Sequence, residues 1–191
     1  MTVWIILGFL AFVIIFCFTE VIIGYNSLIT LRNRVDNQSA QVDVQLKRRA
    51  ELIPNLLETV KGYAKFEKKT LTDITELRNR VMNAGSTKEA CAADAELGRA
   101  CSRVLAIGES YPELKSNTNF LKLQEELSET ENKIGMARQF YNDTVTKYNT
   151  AIQMFPKSVV AALFHFQKRE LLAITNEERK AVTISSEIFQ F

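Results

Sequence analysis

The 191-residue chain holds seven glycines, three prolines, three cysteines and one histidine, and each scarcity excludes something. With so few turn formers and helix breakers, a sheet of many short strands is excluded and long helices are favoured. The glycines form no phosphate-cradling loop. His165 stands alone between Phe164 and Phe166, and the cysteines lack paired ligand spacing, so no metal cluster can be built around it. A lone histidine in an apolar segment reads as a packed side chain. Cys17 lies in an apolar run. Cys91 and Cys101 are ten residues apart in a helical segment, about 15 Å, whereas a disulfide needs Cα atoms within about 7 Å. They cannot pair within one helix, and buried reduced thiols are expected, in keeping with a cytoplasmic domain. No nucleophile stands beside a base, and carboxylates alternate with basic residues at helical spacing, as in Glu129 and Lys133. No enzyme, catalytic residue, cofactor or metal is expected. A net charge of +2 argues against nucleic acid as the main partner.

What the chain does have, first, is an uncharged apolar run over residues 3–19 that continues past Glu20 into Val21, Ile22 and Ile23. From Trp4 to Tyr25 a helix rises roughly 31 Å, the thickness of a hydrocarbon core with an amphipathic ring at each headgroup level. A secretory signal would show a basic start and a small-residue cleavage site, and neither is present. Val3, Trp4, Glu20 and Tyr25 therefore mark an uncleaved membrane span at residues 1–24, with the bilayer as first partner. No Lys or Arg precedes it, and Arg32 and Arg34 follow it. That bias places the N-terminus outside and the rest in the cytoplasm. Glu20 has two readings: it snorkels to the headgroups or is protonated and only marks the membrane edge, or it faces a neighbouring span in an oligomer. Lys47-Arg48-Arg49 lies about 34 Å beyond Tyr25 on a straight helix, out of range of lipid charge. It reads as a solvated face or a protein contact.

Residues 25–155 read as a long helical bundle. Leu28, Leu31, Val35, Ser39, Val42, Leu46, Ala50, Ile53, Leu57, Val60 and Ala64 follow steps of three and four that repeat every eleven residues, the period of a nearly straight helix. The stripe keeps its phase across Pro54, so the proline should kink the helix without ending it. The pattern extends to Met82 and stops at Ala84-Gly85-Ser86-Thr87. A second helix fits residues 88–108, with Ala90, Ala93, Leu97, Ala100, Val104 and Ile107 on one side, and Tyr111-Pro112 ends it. The third has the clearest signal: Phe120, Leu127, Ile134, Tyr141, Tyr148 and Phe155 recur every seven residues, with Leu123, Thr130, Ala137, Thr144 and Ala151 three later. This is a coiled-coil seam with Asn117 as N-cap and Phe155-Pro156 as stop. Leu31-Arg32-Asn33-Arg34-Val35 recurs as Leu77-Arg78-Asn79-Arg80-Val81, with nothing around it repeating, and reads as coincidence. The expected fold is all-α: a transmembrane helix continuing into an antiparallel three-helix bundle.

Residues 156–191 change character. An apolar helix at residues 159–166 is flanked by Lys157, Lys168 and Arg169, and residues 183–191 read as an extended tail. Ile184, Ile188, Phe189 and Phe191 are too apolar to leave wet in a monomer and are candidate contacts between subunits or back onto the bundle.

These residues together are similar to the LemA family of bacterial membrane proteins. The resemblance rests on Tyr25-Asn26-Ser27-Leu28, Arg32-Asn33-Arg34-Val35, the run from Gln45 through Pro54 to Ala64, and Tyr111-Pro112-Glu113-Leu114-Lys115. It continues through Leu123-Gln124-Glu125-Glu126-Leu127, Thr130-Glu131-Asn132, Tyr141-Asn142, Tyr148-Asn149 and Phe155-Pro156. It covers about residues 1–166 and loosens over residues 167–191. It implies one inner-membrane span, a short outside N-terminus and a helical bundle without catalytic residues. Magnetosome-associated proteins resemble the same family, which points to membrane organisation. Two functions follow as expectations: a non-enzymatic scaffold that self-associates, or an adaptor of another membrane protein such as a protease or sensor system.

Overall fold

The computed structural model describes residues 1–61, 68–109 and 111–172. Among them it is all-helical, with α1 (Thr2–Lys61), α2 (Lys68–Met82), α3 (Thr87–Glu109), α4 (Pro112–Lys115), α5 (Thr118–Ala151) and α6 (Lys157–Leu163). The expected Ala64 position and the tail residues Ile184, Ile188, Phe189 and Phe191 lie outside the described residues, as does the side chain of Ile107.

At 60 residues, α1 rises about 90 Å. Its apolar stripe is buried as expected at Leu28, Val35, Val42, Leu46, Ala50, Ile53, Leu57 and Val60, with Leu31 and Ser39 half-buried. Pro54 stays within the helix. A proline has no N–H, so the carbonyl of Ala50 loses its intrahelical partner. Arg78 Nε supplies the replacement at 2.9 Å. That bond also shows where the stripe misleads. The stripe predicts one helix to Met82, but α1 (to Lys61) and α2 (from Lys68) are separate helices, and α2 packs antiparallel against α1. Both arms bury apolar residues at steps of three and four, here Ile74 and Val81 with Leu71 and Leu77. Periodicity cannot see a reversal that keeps phase.

α3 begins on a reciprocal cap. Glu89 N donates to Ser86 Oγ at 3.3 Å, and the Glu89 carboxylate accepts from Gly85 N at 3.1 Å, closing two otherwise unmatched donors. α3 runs parallel to α1: Ser39 and Asp43 meet Thr87, and Arg49 meets Asp94. Gly108 lets α3 meet the start of α5, since a Cβ there would come within 2.7 Å of Phe120 Cζ. After the single turn of α4, Asn117 caps α5 as expected, its Oδ1 accepting from Asn119 N at 2.9 Å and Phe120 N at 3.1 Å.

α5 runs antiparallel to α1 and is its most extensive neighbour, with Glu131 at Arg49 and Lys157 beyond it at Ser27. Phe120, Leu127, Ile134, Tyr141 and Tyr148 are all buried. Phe155 is not: it is 83% exposed, and α5 ends at Ala151. The stripe changes step before that point. Val145, four residues after Tyr141, is fully buried where the heptad predicts Thr144, and Ile152 is buried where it predicts Ala151. The register drifts by one residue, so the next heptad position falls past the helix end.

Candidate functional site

Val3, Trp4 and the apolar residues that follow are exposed all round, and no part of the 18-residue window that qualifies as a candidate membrane span is buried by the protein. A helix apolar on every face needs an apolar surrounding. The bundle takes over near Gly24, the first fully covered position, with Val21 partly packed and Glu20 half-buried just before it.

Gly24 is where α6 arrives. A Cβ there would stand 3.1 Å from Val160 Cγ2, so the missing side chain sets how closely α6 approaches. One residue on, the Tyr25 ring lies 4.8 Å from that of Phe164 and 5.9 Å from that of Phe166. Arg32 sits 5.6 Å over the Phe166 ring, a cation–π contact. Lys157 Nζ donates to Ser27 Oγ at 2.8 Å. The expected anchor ring Tyr25 is thus the centre of an aromatic cluster that joins the end of the candidate span to the C-terminal elements.

His165 corrects its sequence reading. It is exposed, not packed, and has φ 54°. Phe166 N donates to Ala161 O at 2.9 Å and His165 N to Ala162 O at 3.4 Å. This is a helix-ending Schellman turn whose left-handed residue is usually glycine; histidine is among the non-glycine residues that accept it. The turn ends α6 at Leu163, earlier than the predicted 166, and sends Phe166 back under Tyr25.

Beyond the turn, residues 166–172 run back along α5 as a strap held by its main chain. Tyr148 and Tyr141 hydroxyls donate to the carbonyls of Gln167 (2.9 Å) and Glu170 (3.0 Å). Asn149 both donates to Arg169 O (2.8 Å) and accepts from Arg169 N (2.9 Å), and Asn142 does the same for Leu172 (3.1 and 2.9 Å). The spacing explains the match. Seven helical residues rise about 10.5 Å, and three extended residues cover about 10 Å, so each Tyr-Asn pair meets the strap three residues further on. The Tyr-Asn repeat was visible in the sequence; that it grips a backbone was not. Arg169 to Asp36 (3.0 Å) and Lys88 to Glu170 (2.6 Å) tie the strap to α1 and α3. Their hydrogen bond lowers the Glu170 pKa and raises that of Lys88.

Midway along the bundle, the Lys47-Arg48-Arg49 run, read as a solvated face or a protein contact, divides: Lys47 and Arg48 are exposed, but Arg49 is 7% exposed. It stands three residues after Leu46 and four before Ile53, on the stripe itself. Its Nη1 donates to Asp94 Oδ2 at 3.3 Å and to Glu131 Oε2, joining α1, α3 and α5. Gly98 makes the room, since a Cβ would come within 2.7 Å of Arg49 Nη2. Burial pushes the Asp94 carboxyl up to about 6 against the pull of Arg49, and pushes the Cys101 thiol up to about 11. Cys101 is therefore a protonated, inert thiol.

The model of the LemA family matches residues 38–185. Protein LemA of Metamycoplasma hominis is 27% identical over 164 residues, covering 84% of this chain and 74% of that protein. Magnetosome protein MamQ of Magnetospirillum gryphiswaldense is 22% identical over 178 residues, and Magnetosome protein MamQ 2 of Paramagnetospirillum magneticum 23% over 172, covering 80% and 76% of this chain. The chain spans only 65% and 63% of those two proteins.

Proposed function

Because the chain belongs to the LemA family, and its relatives include two magnetosome proteins, we propose that it is a non-enzymatic, membrane-anchored scaffold that self-associates and organises membrane or partner proteins. The observation that carries this reading is the continuity of α1. One 60-residue helix holds both the candidate span and the central element of the bundle. A force or contact on the rod is thereby transmitted to the membrane without a flexible linker. The polar cluster of Arg49 with Asp94 and Glu131 ties three helices together, with Arg49 and Asp94 buried and Glu131 reaching them from the surface of α5. That is a fastener's position, not a substrate's.

Self-association is supported by large apolar side chains left in water along the rod. Met136 and Phe140, one turn apart on α5, are 52% and 60% exposed. The tail residues Ile184, Ile188, Phe189 and Phe191 are the further contacts expected from the sequence. The same Met136–Phe140 face also suits an adaptor that docks another membrane protein. Orientation follows the basic residues: Arg32 and Arg34 are both exposed just past the span, which favours a cytoplasmic bundle and an outside N-terminus in the bacterial inner membrane.

Pull-down from gently solubilised membranes tests the proposal. A scaffold recovers chiefly copies of itself. Recovery of a second protein in fixed stoichiometry, with the chain monomeric, would replace it with the adaptor reading. A reporter active only in the cytoplasm, fused after Phe191, is expected to give signal; signal only from a periplasmic reporter would reverse the orientation.

A further inference from the structure

The end of the bundle nearest the span carries a second apolar surface that the protein leaves bare. α6 turns Val160 and Ala161 inward, where they are 3% and 4% exposed, and leaves Val159 and Leu163 outward at 58% and 64%. Met154 and Phe155, in the turn before α6, are 60% and 83% exposed. An apolar patch this concentrated marks a contact surface. Its height identifies what covers it. α6 seats on Gly24, and from Trp4 to Gly24 the helix rises roughly 30 Å, one hydrocarbon thickness. The patch therefore lies level with the edge of the bilayer that α1 crosses.

We infer that the α5–α6 turn and α6 form a second, interfacial membrane contact, with Phe155, Val159 and Leu163 embedded among the headgroups and upper acyl chains beside the span. The inference rests on the reading of α1 as a membrane span. The surrounding charge fits a lipid surface carrying anionic headgroups. Arg32, Arg34 and Lys168 are exposed at this end, and Lys157 is half-buried at Ser27. Two carboxylates of α1 flank this contact: Glu20, half-buried one turn before Gly24, and Asp36, which is paired with Arg169. Basic side chains around an apolar face are the signature of an interfacial amphipathic element. With two points of contact, the span and α6, the rod's tilt against the membrane is fixed, because Gly24, Tyr25 and the Phe164–Phe166 cluster lock α6 to α1.

The single tryptophan of the chain, Trp4, supplies the test. Three full-length single-tryptophan proteins are compared in vesicles of phosphatidylcholine and phosphatidylglycerol whose acyl chains are brominated close to the headgroup. They are the native chain, Trp4→Phe with Phe155→Trp, and Trp4→Phe with Met136→Trp, a reporter on the exposed face of α5 well up the rod. Bromine quenching should be as strong for position 155 as for position 4, and absent at position 136. Adding Val159→Glu and Leu163→Glu, both exposed and outside the core, should reduce quenching at 155 to the level of 136. If position 4 is quenched but 155 behaves like 136, the span stands and the interfacial contact is overturned, leaving the patch to a second copy or another protein. If position 4 is also unquenched, the span reading itself fails and takes this inference with it.

Discussion

Arg78→Met should destabilise the bundle through a carbonyl that only Pro54 makes needy. In α1 the Ala50 carbonyl would ordinarily accept from residue 54, and Pro54 has no N–H to give. Arg78 Nε fills the gap at 2.9 Å, reaching from a half-buried position on α2. Methionine keeps the aliphatic stem that packs but cannot donate. The lost bond has a charged donor, worth about 1.5–3 kcal/mol, and leaves an acceptor unmatched. With partial access to water, a cost of about 1–2 kcal/mol is expected. For a chain of this size that lowers the melting temperature by roughly 3–6 °C. The decisive comparison is a cycle with Pro54→Ala. Alanine restores the intrahelical N–H, so in that background Arg78→Met should cost less than about 0.5 kcal/mol, leaving a coupling of about 1 kcal/mol between Arg78 and Pro54. Thermal melting of the full chain in detergent, followed by far-UV circular dichroism, reads all four corners. Equal costs in both backgrounds would refute the account of Pro54 and of the α1–α2 reversal it anchors.

Three further outcomes follow from the packing. Asp94, raised to about 6 by burial from an ordinary 3.8, holds its proton more tightly folded than unfolded; its contribution is complete below the ordinary value and is lost as pH rises through about 6. That is worth about 3 kcal/mol, so stability should fall between pH 4 and 7, and Asp94→Asn should remove that slope. A slope unchanged in Asp94→Asn would mean another group titrates. Asn149→Ala removes both bonds to Arg169 and should cost about 1–2 kcal/mol, with trypsin cleaving sooner after Lys168 and Arg169 while the bundle stays helical. Unaltered cleavage would show that the clamp does not hold the strap. Gly108→Ala should destabilise by about 1–2 kcal/mol despite alanine's better helix propensity, because its Cβ meets the Phe120 ring; a higher melting temperature would show that Phe120 moves aside freely.

The parts of this fold legible in the sequence are those written in local periodicity. The α1 stripe from Leu28 to Val60, the Asn117 cap and the buried face from Phe120 to Tyr148 all follow from residues three, four and seven apart. What escaped depended on partners distant in the chain. Lys47, Arg48 and Arg49 look alike in sequence, and only Asp94, Gly98 and Glu131 from other helices make a buried place for the third. The antiparallel packing of α2 on α1 is invisible to a stripe that keeps phase across both helices. His165 sits in a left-handed turn that composition does not announce, and Phe155 fell off the seam because Val145 took the core position expected of Thr144. The Tyr-Asn pairs are the reverse case: a regular signal in the sequence whose meaning needed the strap's backbone beside it.

The most direct test of the scaffold reading is the mass of the full-length protein purified alone and held in lipid nanodiscs or mild detergent, measured with the bound lipid or detergent subtracted. Self-association through the rod or tail predicts a defined multiple of the chain mass that persists on dilution and falls when Phe140 and Met136 are made polar or the chain is cut after Arg179. A particle that contains one chain at every concentration would contradict it.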